Sequence, residues 1–313
     1  MKKFLLSALL VVPGVASAQF DEASLAKVQV KSTPVAGNVH IFEGAGGNIG
    51  VSAGPDGILI VDDQFAPLVP KIRAALGKLT KGKAKAPEYV LNTHWHFDHT
   101  GGNALFGREG TIVAHKHVRT RLMNGLESSA MGMKIPPAPK EALPVITYDQ
   151  GISIFFNGEE IQVTHLPTGH TDGDSIVYFT NSNVLHMGDQ FTGDKYPFID
   201  LESGGSMEGY LRNVERVLQT LPAGVKIIPG HGAVSGRQEL ETFAQMLRDT
   251  VDLVKGKLAA GKTLEQVKAE GMPEKYKSWG DGFMKPEQWL TVAYTSLSGQ
   301  KPAPAKKPEE PKK

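Results

Sequence analysis

The segment NTHWHFDHTGGN at residues 92–103 constrains the fold more than any other part of the sequence. It places the imidazoles of His94, His96 and His99 and the carboxylate of Asp98 within six positions. Side chains two positions apart on an extended segment point the same way, which puts the first two histidines on one side. A turn at the following Thr-Gly-Gly would bring the other two groups beside them. We therefore predict a metal-binding loop here rather than a solvated polar loop.

Donors that are neighbours in sequence approach an ion from one side, so a complete site needs donors from elsewhere in the chain. Imidazole and carboxylate are good zinc ligands, and zinc commonly takes four of them. Three later segments, HLPTGHTDGD, HMGDQF and IIPGHG, each follow an apolar run and contain glycine; they bring His170, Asp189 and His231. The sequence therefore predicts a fold in which the ends of several strands meet at one place.

Runs of apolar residues indicate the architecture. Short segments rich in Val and Ile predict a meander of hairpins over residues 28–62, and the spacing of apolar residues predicts a helix over 65–79. Strands and helices alternate again in the second half, where Asn157-Gly158 predicts a hairpin turn. This pattern favours an α/β fold of two packed sheets with helices outside. The proline-rich stretch 125–144 is interpreted as a loop. Long loops inside compact domains often serve as lids or binding loops.

The two ends of the chain indicate an exported protein. Residues 1–18 have a basic start, a short apolar run and an Ala-Ser-Ala cleavage pattern, so they predict a signal peptide and a periplasmic or secreted location. No second stretch is long and apolar enough for a membrane span. The Pro- and charge-rich residues 301–313 predict a disordered tail. No flexible linker interrupts residues 19–300, which we expect to form a single domain.

Composition excludes several classes of function. The chain has no cysteine, so disulfides, thiolate metal ligands and thiol nucleophiles are excluded. The 34 Lys and Arg against 33 Asp and Glu lack the basic excess that a nucleic-acid partner favours. The expected partner is a small-molecule substrate, and the oligomeric state stays open.

The order of these donor residues, from the HxHxDH motif to IIPGHG, resembles the metallo-β-lactamase fold superfamily of dinuclear metal hydrolases over roughly residues 30–235. The resemblance implies a four-layer αβ/βα sandwich with two metal ions at one edge of the paired sheets. It also implies one ligand set for each ion and one bridging group. The ligands to the first ion would be His94, His96 and His170, those to the second Asp98, His99 and His231, and the bridge Asp189.

The resemblance further implies a reaction. Two zinc ions would share a hydroxide that attacks the substrate, and Asp98 would be the catalytic residue that orients it. The absence of cysteine excludes a close likeness to the lactamases with a Cys ligand. An exported enzyme meets cyclic amides and esters, so we predict a hydrolase of the β-lactam or lactone type.

Three alternatives stay open. A glyoxalase II-like thioesterase has the same ligand pattern, although a glutathione thioester is an intracellular substrate. A mononuclear iron oxygenase acting on sulfur compounds would leave Asp98, His99 and His231 without a second ion. A non-catalytic metal-binding module would need no hydroxide-orienting aspartate. Metal analysis distinguishes the oxygenase, because one iron per chain would replace two zinc ions.

The other polar residues receive supporting roles. Either Asp62 or Asp63 is expected to hydrogen-bond a ligand histidine, and Asp172 and Asp174 are expected to form a turn. Lys195 and Tyr196 are hypothesised to bind a substrate carboxylate or oxyanion. The remaining histidines are interpreted as structural or as neighbours of the ligands: His40, His115, His117, His165 and His186.

Overall fold

A computed structural model describes residues 22–128 and 133–299. The predicted signal peptide (1–18), the predicted tail (301–313) and both ends of the predicted domain (19–300) lie outside the described residues and stay predictions. Within the part that is described, no helix combines the length and the apolar character needed to cross a bilayer.

The first half of the chain forms a seven-stranded mixed sheet. Its strands are β1 (Lys31–Ala36), β2 (Val39–Glu43), β3 (Ile49–Gly54), β4 (Gly57–Val61), β5 (Tyr89–Asn92), β6 (Thr111–His115) and β9 (Ile146–Tyr148). They lie in that order, antiparallel from β1 to β4 and parallel from β4 to β9. The Ile-Leu-Ile-Val run of β4 is fully buried, as expected for a strand covered on both faces. The predicted meander is confirmed.

The second half forms a five-stranded sheet. Its strands are β10 (Gly151–Phe156), β11 (Glu159–His165), β12 (Ser175–Phe179), β13 (Val184–Gly188) and β14 (Lys226–Pro229). Neighbours follow the chain order, antiparallel up to β13, and β14 runs parallel to β13. The predicted hairpin turn is confirmed: Asn157 and Gly158 have φ angles of 54° and 79°, which match the twist of the flanking strands. The Asn157 amide also donates to Ser52 Oγ of the first sheet at 3.0 Å.

The two sheets pack face to face, and helices cover both outer faces. Leu59 and Val113 of the first sheet meet Phe179 and Ile228 of the second in the central core. The helices are α1 (Glu22–Lys27), α2 (Val69–Leu79), α3 (Phe97–Thr100), α4 (Asn103–Phe106), α5 (Lys116–Asn124), α6 (Met207–Thr220), α7 (Arg237–Ala259), α8 (Leu264–Glu270) and α9 (Pro286–Ser298). Helix α2 packs on the first sheet, and α6, α7 and α9 pack on the second. The predicted four-layer αβ/βα sandwich is confirmed.

Two local predictions differ from the structure. The apolar pattern of TIVAHKHV predicts a strand with His115 and His117 on one face. The strand ends at His115, because that imidazole accepts a hydrogen bond from the backbone N–H of His117 and caps α5. The two histidines therefore do not share a strand face. The stretch 125–144, predicted as a loop, contains a short antiparallel pair, β7 (Leu126–Ser128) and β8 (Met133–Ile135), and a 3-10 turn.

The carboxyl ends of three strands approach one another at one edge of the sandwich. Strands β13 and β14 are parallel neighbours, and β5 ends in the facing sheet. The sheets are joined at this edge by Asn48, whose backbone N–H donates to Gly230 O at 2.7 Å and whose carbonyl lies 3.1 Å from His186 Nε2. The loops that follow these strands carry six of the predicted donor residues, and the loop after β11 carries the seventh, His170.

Candidate metal centre

Three histidines from two loops form the first half of the candidate centre. His94 and His96 follow β5, and the chain turns into α3 directly after His96, whose backbone is still extended. The ring of His170 lies 4.6 Å from each of their ring centroids. One nitrogen of each of the three lies within 4.8 Å of the others, and all three side chains are buried. The structure therefore brings together the three residues predicted for the first ion.

Hydrogen bonds fix which nitrogens of these imidazoles face inward. His96 Nε2 lies 2.9 Å from Asp200 Oδ2, and His170 Nδ1 lies 2.7 Å from the carbonyl of Phe198. Because both partners only accept, these nitrogens carry the protons in the tautomers that a metal-binding imidazole adopts. The lone pairs of His96 Nδ1 and His170 Nε2 then face each other at 2.8 Å, and His94 Nε2 is buried without a partner. Lone pairs of three imidazole nitrogens thus converge on one point, and a bound cation would be their natural partner.

The second half of the candidate centre combines Asp98, His99 and His231. Their ligand atoms also lie within 4.8 Å of one another. His231 Nε2 is 3.3 Å from Asp98 Oδ2 and 3.4 Å from His99 Nε2. The short helix α3 turns Asp98 and His99 toward this point, while His231 arrives from the loop after β14. The three residues predicted for the second ion are thus also brought together.

The carboxylate of Asp189 lies between the two halves. Its Oδ1 is 3.1 Å from His99 Nε2 and 3.5 Å from His231 Nε2, whereas its Oδ2 is 3.6 Å from His170 Nε2. The left-handed Gly188 (φ 50°) directs the chain out of β13 at this point. One carboxylate thus reaches both groups of histidines, which is the geometry expected of the predicted bridging residue.

The two halves differ in their electrostatics. Burial lowers the pKa of His170 to about 4, and burial together with neighbouring imidazoles lowers that of His94, so both rings are neutral at pH 7. Burial also opposes protonation of His231, but the charges of Asp189 and Asp98 outweigh it and raise its pKa to about 10. In this second half, a cation would therefore displace protons on binding.

Two buried carboxylates hold the histidines from outside the centre. Asp62, in a left-handed conformation (φ 65°), lies 2.7 Å from His99 Nδ1 and accepts from both the N–H and the hydroxyl of Thr93. This confirms the prediction that Asp62 or Asp63 contacts a ligand histidine. Asp63 instead accepts from Gly102 N–H at 2.8 Å. Sequence reasoning missed Asp200, the partner of His96, because no spacing rule connects the loop after β13 to the motif.

The remaining histidines lie outside the three donor groups found among the described residues. His115 stacks on His165 with ring centroids 3.7 Å apart. The predicted turn after His170 is confirmed, because Asp174 accepts from the backbone N–H and the hydroxyl of Thr171. Asp172 adds a two-point ion pair with Arg121 on α5.

A cavity of about 390 Å³ opens onto the centre. Its lining residues include the polar Asp98, Asp189, Thr192, Asp194, Lys195 and His231 and the aromatic Phe97, Tyr196, Phe198 and Phe283. The Tyr196 hydroxyl donates to the carbonyl of Tyr276 at 3.0 Å and is buried. The hypothesis that Lys195 and Tyr196 bind a substrate carboxylate or oxyanion stays a prediction, and a substrate would have to compete with Tyr276 for the Tyr196 hydroxyl.

Sequence comparisons connect this centre to known proteins. A family model described as the metallo-beta-lactamase superfamily matches residues 33–238. The chain is 29% identical over 166 residues to a beta-lactamase-like protein 2 homolog of Drosophila melanogaster, covering 53% of this chain and 52% of that protein. It is 23% identical over 171 residues to a metallo-beta-lactamase type 2 of Bacteroides fragilis, with coverages of 54% and 62%. A hydroxyacylglutathione hydrolase of Pelagibacter ubique is 30% identical over 149 residues, with coverages of 46% and 51%.

The fold has known counterparts as well. A stereoselective inverting sec-alkylsulfatase from Pseudomonas sp. superposes with a TM-score of 0.65 and 16% identity, covering 85% of this chain and 50% of that one. That likeness bears on the fold alone. The matched part of this chain spans between 51% and 62% of the lengths of the three curated relatives above. Because the family model spans all seven donor residues and most of both sheets, the chain belongs to the metallo-β-lactamase superfamily.

Proposed function

We propose that the chain is an exported dinuclear zinc hydrolase that opens a cyclic amide or ester of the β-lactam or lactone type. The observation that carries the proposal is the position of Asp189, whose two carboxylate oxygens face different groups of imidazoles. A mononuclear site would need only one of these groups. The arrangement thus favours two ions over the single iron of an oxygenase.

The donor set fits zinc. All seven candidate ligands offer nitrogen or oxygen, and the buried His94 Nε2 has no hydrogen-bond partner. Bound zinc would supply Lewis acidity, which polarises a substrate carbonyl and makes water more acidic. The ligands would be His94, His96, His170 and Asp189 for one ion, and Asp98, His99, His231 and Asp189 for the other.

Asp98 is the proposed catalytic residue of the protein itself. Its side chain lines the cavity and is 19% exposed, so it can reach a water molecule there. Burial raises its pKa, but the neighbouring His99 and His231 lower it to about 2, and the group is a carboxylate at neutral pH. A carboxylate oxygen of Asp98 would accept a hydrogen bond from the attacking water and orient it toward the substrate carbonyl.

A thioesterase is the second candidate. It is supported by the similarity to the hydroxyacylglutathione hydrolase, at 30% identity. The same water-orienting carboxylate would serve thioester hydrolysis, so the two candidates differ only in the substrate that the cavity accepts. Export disfavours the thioesterase, because a glutathione thioester is found inside the cell.

One preparation tests the proposal. Elemental analysis of the purified chain is expected to give two zinc ions, and the same sample is assayed against lactams, lactones, esters and thioesters with and without a chelator. Turnover of lactams or lactones that the chelator abolishes and zinc restores would support it. Turnover of thioesters alone would favour the second candidate, and a single iron would refute the zinc hydrolase. A non-catalytic module would show metal but no turnover.

Fractionation of expressing cells, with N-terminal sequencing expected to begin at Gln19, tests export.

A further inference from the structure

Three phenylalanines line the cavity, and we call Phe97, Phe198 and Phe283 the aromatic wall. They come from three separate segments: α3, the loop after β13, and the chain between the last 3-10 helix (Glu274–Asp281) and α9. Phe97 and Phe198 are half-buried, whereas Phe283 is 63% exposed. An exposed aromatic ring at a cavity rim offers apolar area that a ligand can cover.

The aromatic wall begins at the candidate metal ligands and extends outward. The ring centroid of Phe198 lies 5.8 Å from that of His96 and 6.0 Å from that of His170. On its outer side it meets Phe283 edge to face, with centroids 6.3 Å apart and an interplanar angle of 86°. A substrate whose reacting bond lies beside the histidines would therefore place its next substituent against these two rings.

The segment that carries Phe283 is held firmly. Trp279 is buried, and its carbonyl accepts from the backbone N–H of Tyr196. The ring of Tyr196 stacks on Trp289 of α9, with centroids 5.5 Å apart. Next to Phe283, a side chain on Gly282 would come within 3.1 Å of Lys195. The ring of Phe283 is thus presented to the cavity by a fixed backbone, which lowers the entropic cost of using it in binding.

We propose that Phe283, together with Phe198, selects substrates that carry an apolar group, an alkyl chain or an aryl ring, next to the scissile bond. This inference rests on the proposed hydrolase function and narrows its substrate class. The segment that supplies Phe283 lies outside the family match to residues 33–238. Phe198 lies within that match, so the contribution of Phe283 would be the part of the selectivity that comes from the C-terminal region of this chain.

The test compares the full-length zinc-loaded protein with three variants. Phe283→Ala removes the ring, Phe283→Leu keeps apolar area, and Phe155→Ala is the matched control, since Phe155 is also exposed (78%) but does not line the cavity. The probes for binding are acetate and octanoate, measured by calorimetry. The probes for turnover are γ-butyrolactone and γ-octalactone, compared as a ratio of kcat/KM.

In the wild-type protein we expect octanoate to bind at least tenfold more tightly than acetate, because each buried methylene contributes about fourfold. Phe283→Ala is expected to reduce this preference and the lactone ratio about tenfold, and Phe283→Leu to restore most of both. Phe155→Ala should retain both ratios. Equal ratios in wild type and Phe283→Ala would overturn the inference, as would an equal fall in Phe155→Ala.

The two assays separate the inference from the function on which it rests. If the protein turns over lactones and Phe283→Ala does not change the ratio of kcat/KM between the two lactones, the proposed hydrolase function is supported and the proposed selectivity is refuted. A chain-length preference in calorimetry that Phe283→Ala removes, without turnover of any lactone, would support the apolar subsite and refute lactone hydrolysis.

Discussion

Asp200 offers the sharpest test of how the metal centre is held in place. Its Oδ2 lies 2.9 Å from His96 Nε2, and its Oδ1 accepts from the backbone N–H groups of Glu202 and Ser203. The carboxylate is fully buried. The substitution Asp200→Asn keeps the shape of the side chain but removes the charge that fixes the inward nitrogen of His96. We therefore expect weaker zinc binding in a protein that still folds.

The magnitude follows from the pKa of this carboxyl group. Burial raises the pKa of Asp200, but the interaction with His96, led by its hydrogen bond, and the hydrogen bond from Ser203 outweigh burial and lower it from 3.8 to about 2. A difference of that size corresponds to roughly 2 kcal/mol at neutral pH, which is lost only as the pH falls toward 2. If this interaction is what orients His96, zinc affinity should fall by about 10–100-fold, the range for partners of metal-ligating histidines.

Competition with a chromophoric chelator measures zinc affinity, and near-UV circular dichroism checks the fold. Asp63→Asn is the matched control, because Asp63 is equally buried but its carboxyl group accepts from Gly102 N–H. Its contact with His99 is a backbone hydrogen bond, which the substitution retains. Burial raises the pKa of Asp63 well above its usual value, so the replacement of this carboxyl group by an amide changes the charge less than at Asp200, where the pKa is lowered. Zinc affinity in Asp200→Asn within twofold of the wild type, or an equal loss in both variants, would refute this account.

Three further outcomes are expected. Asp98→Asn should reduce kcat by about 100-fold or more, because the water-orienting carboxylate is lost; zinc content, measured in parallel, must stay near two ions for the loss to be assigned to orientation. Because the pKa values of His99 and His231 are raised, zinc binding at pH 7 should release at least one proton, and zinc affinity should rise with pH. Calorimetry in buffers of different ionisation enthalpy measures this release, and a result of no release would contradict the prediction. Burial, followed by the neighbouring imidazoles, lowers the pKa of His115 to about 4, so stability should be full above pH 6.5 and decline as the pH falls toward 4. His115→Asn, which can still cap α5, should show a smaller decline in urea titrations; equal declines would contradict the role of this ring.

The donor residues could be predicted from sequence because each one follows a strand that local pattern reveals. The buried runs of β5, β13 and β14 end at the histidine motif, at Asp189 and at His231, and parallel neighbours end at the same edge of a sheet. The same reasoning limited the hydrogen-bond partner of a ligand histidine to Asp62 or Asp63, because both directly follow β4. These inferences need only chain order, strand periodicity and the chemistry of ligands.

Contacts between irregular segments could not be predicted in this way. Asp200 reaches His96 across 104 positions from a loop without periodicity. The hydroxyl of Tyr196 bonds to Tyr276 because the C-terminal helices pack on the second sheet, and that packing has no local signature. Around His115 the local pattern was misleading. The sequence there is strand-like, but the side chain of His115 caps α5, so the strand ends at this residue.

The two kinds of contact divide the site into parts with different origins. The donors lie at strand ends of the two packed sheets, so the sheets fix their relative positions, and all seven lie within the family match. The outer rim of the cavity is built from Gly282 and Phe283, whose position depends on the packing of Trp279 and Trp289 beneath them. A change in that packing would alter the rim without moving the donors. Family membership therefore indicates the reaction class of this chain, and the C-terminal segment is where we expect a part of the substrate preference that the family match does not cover.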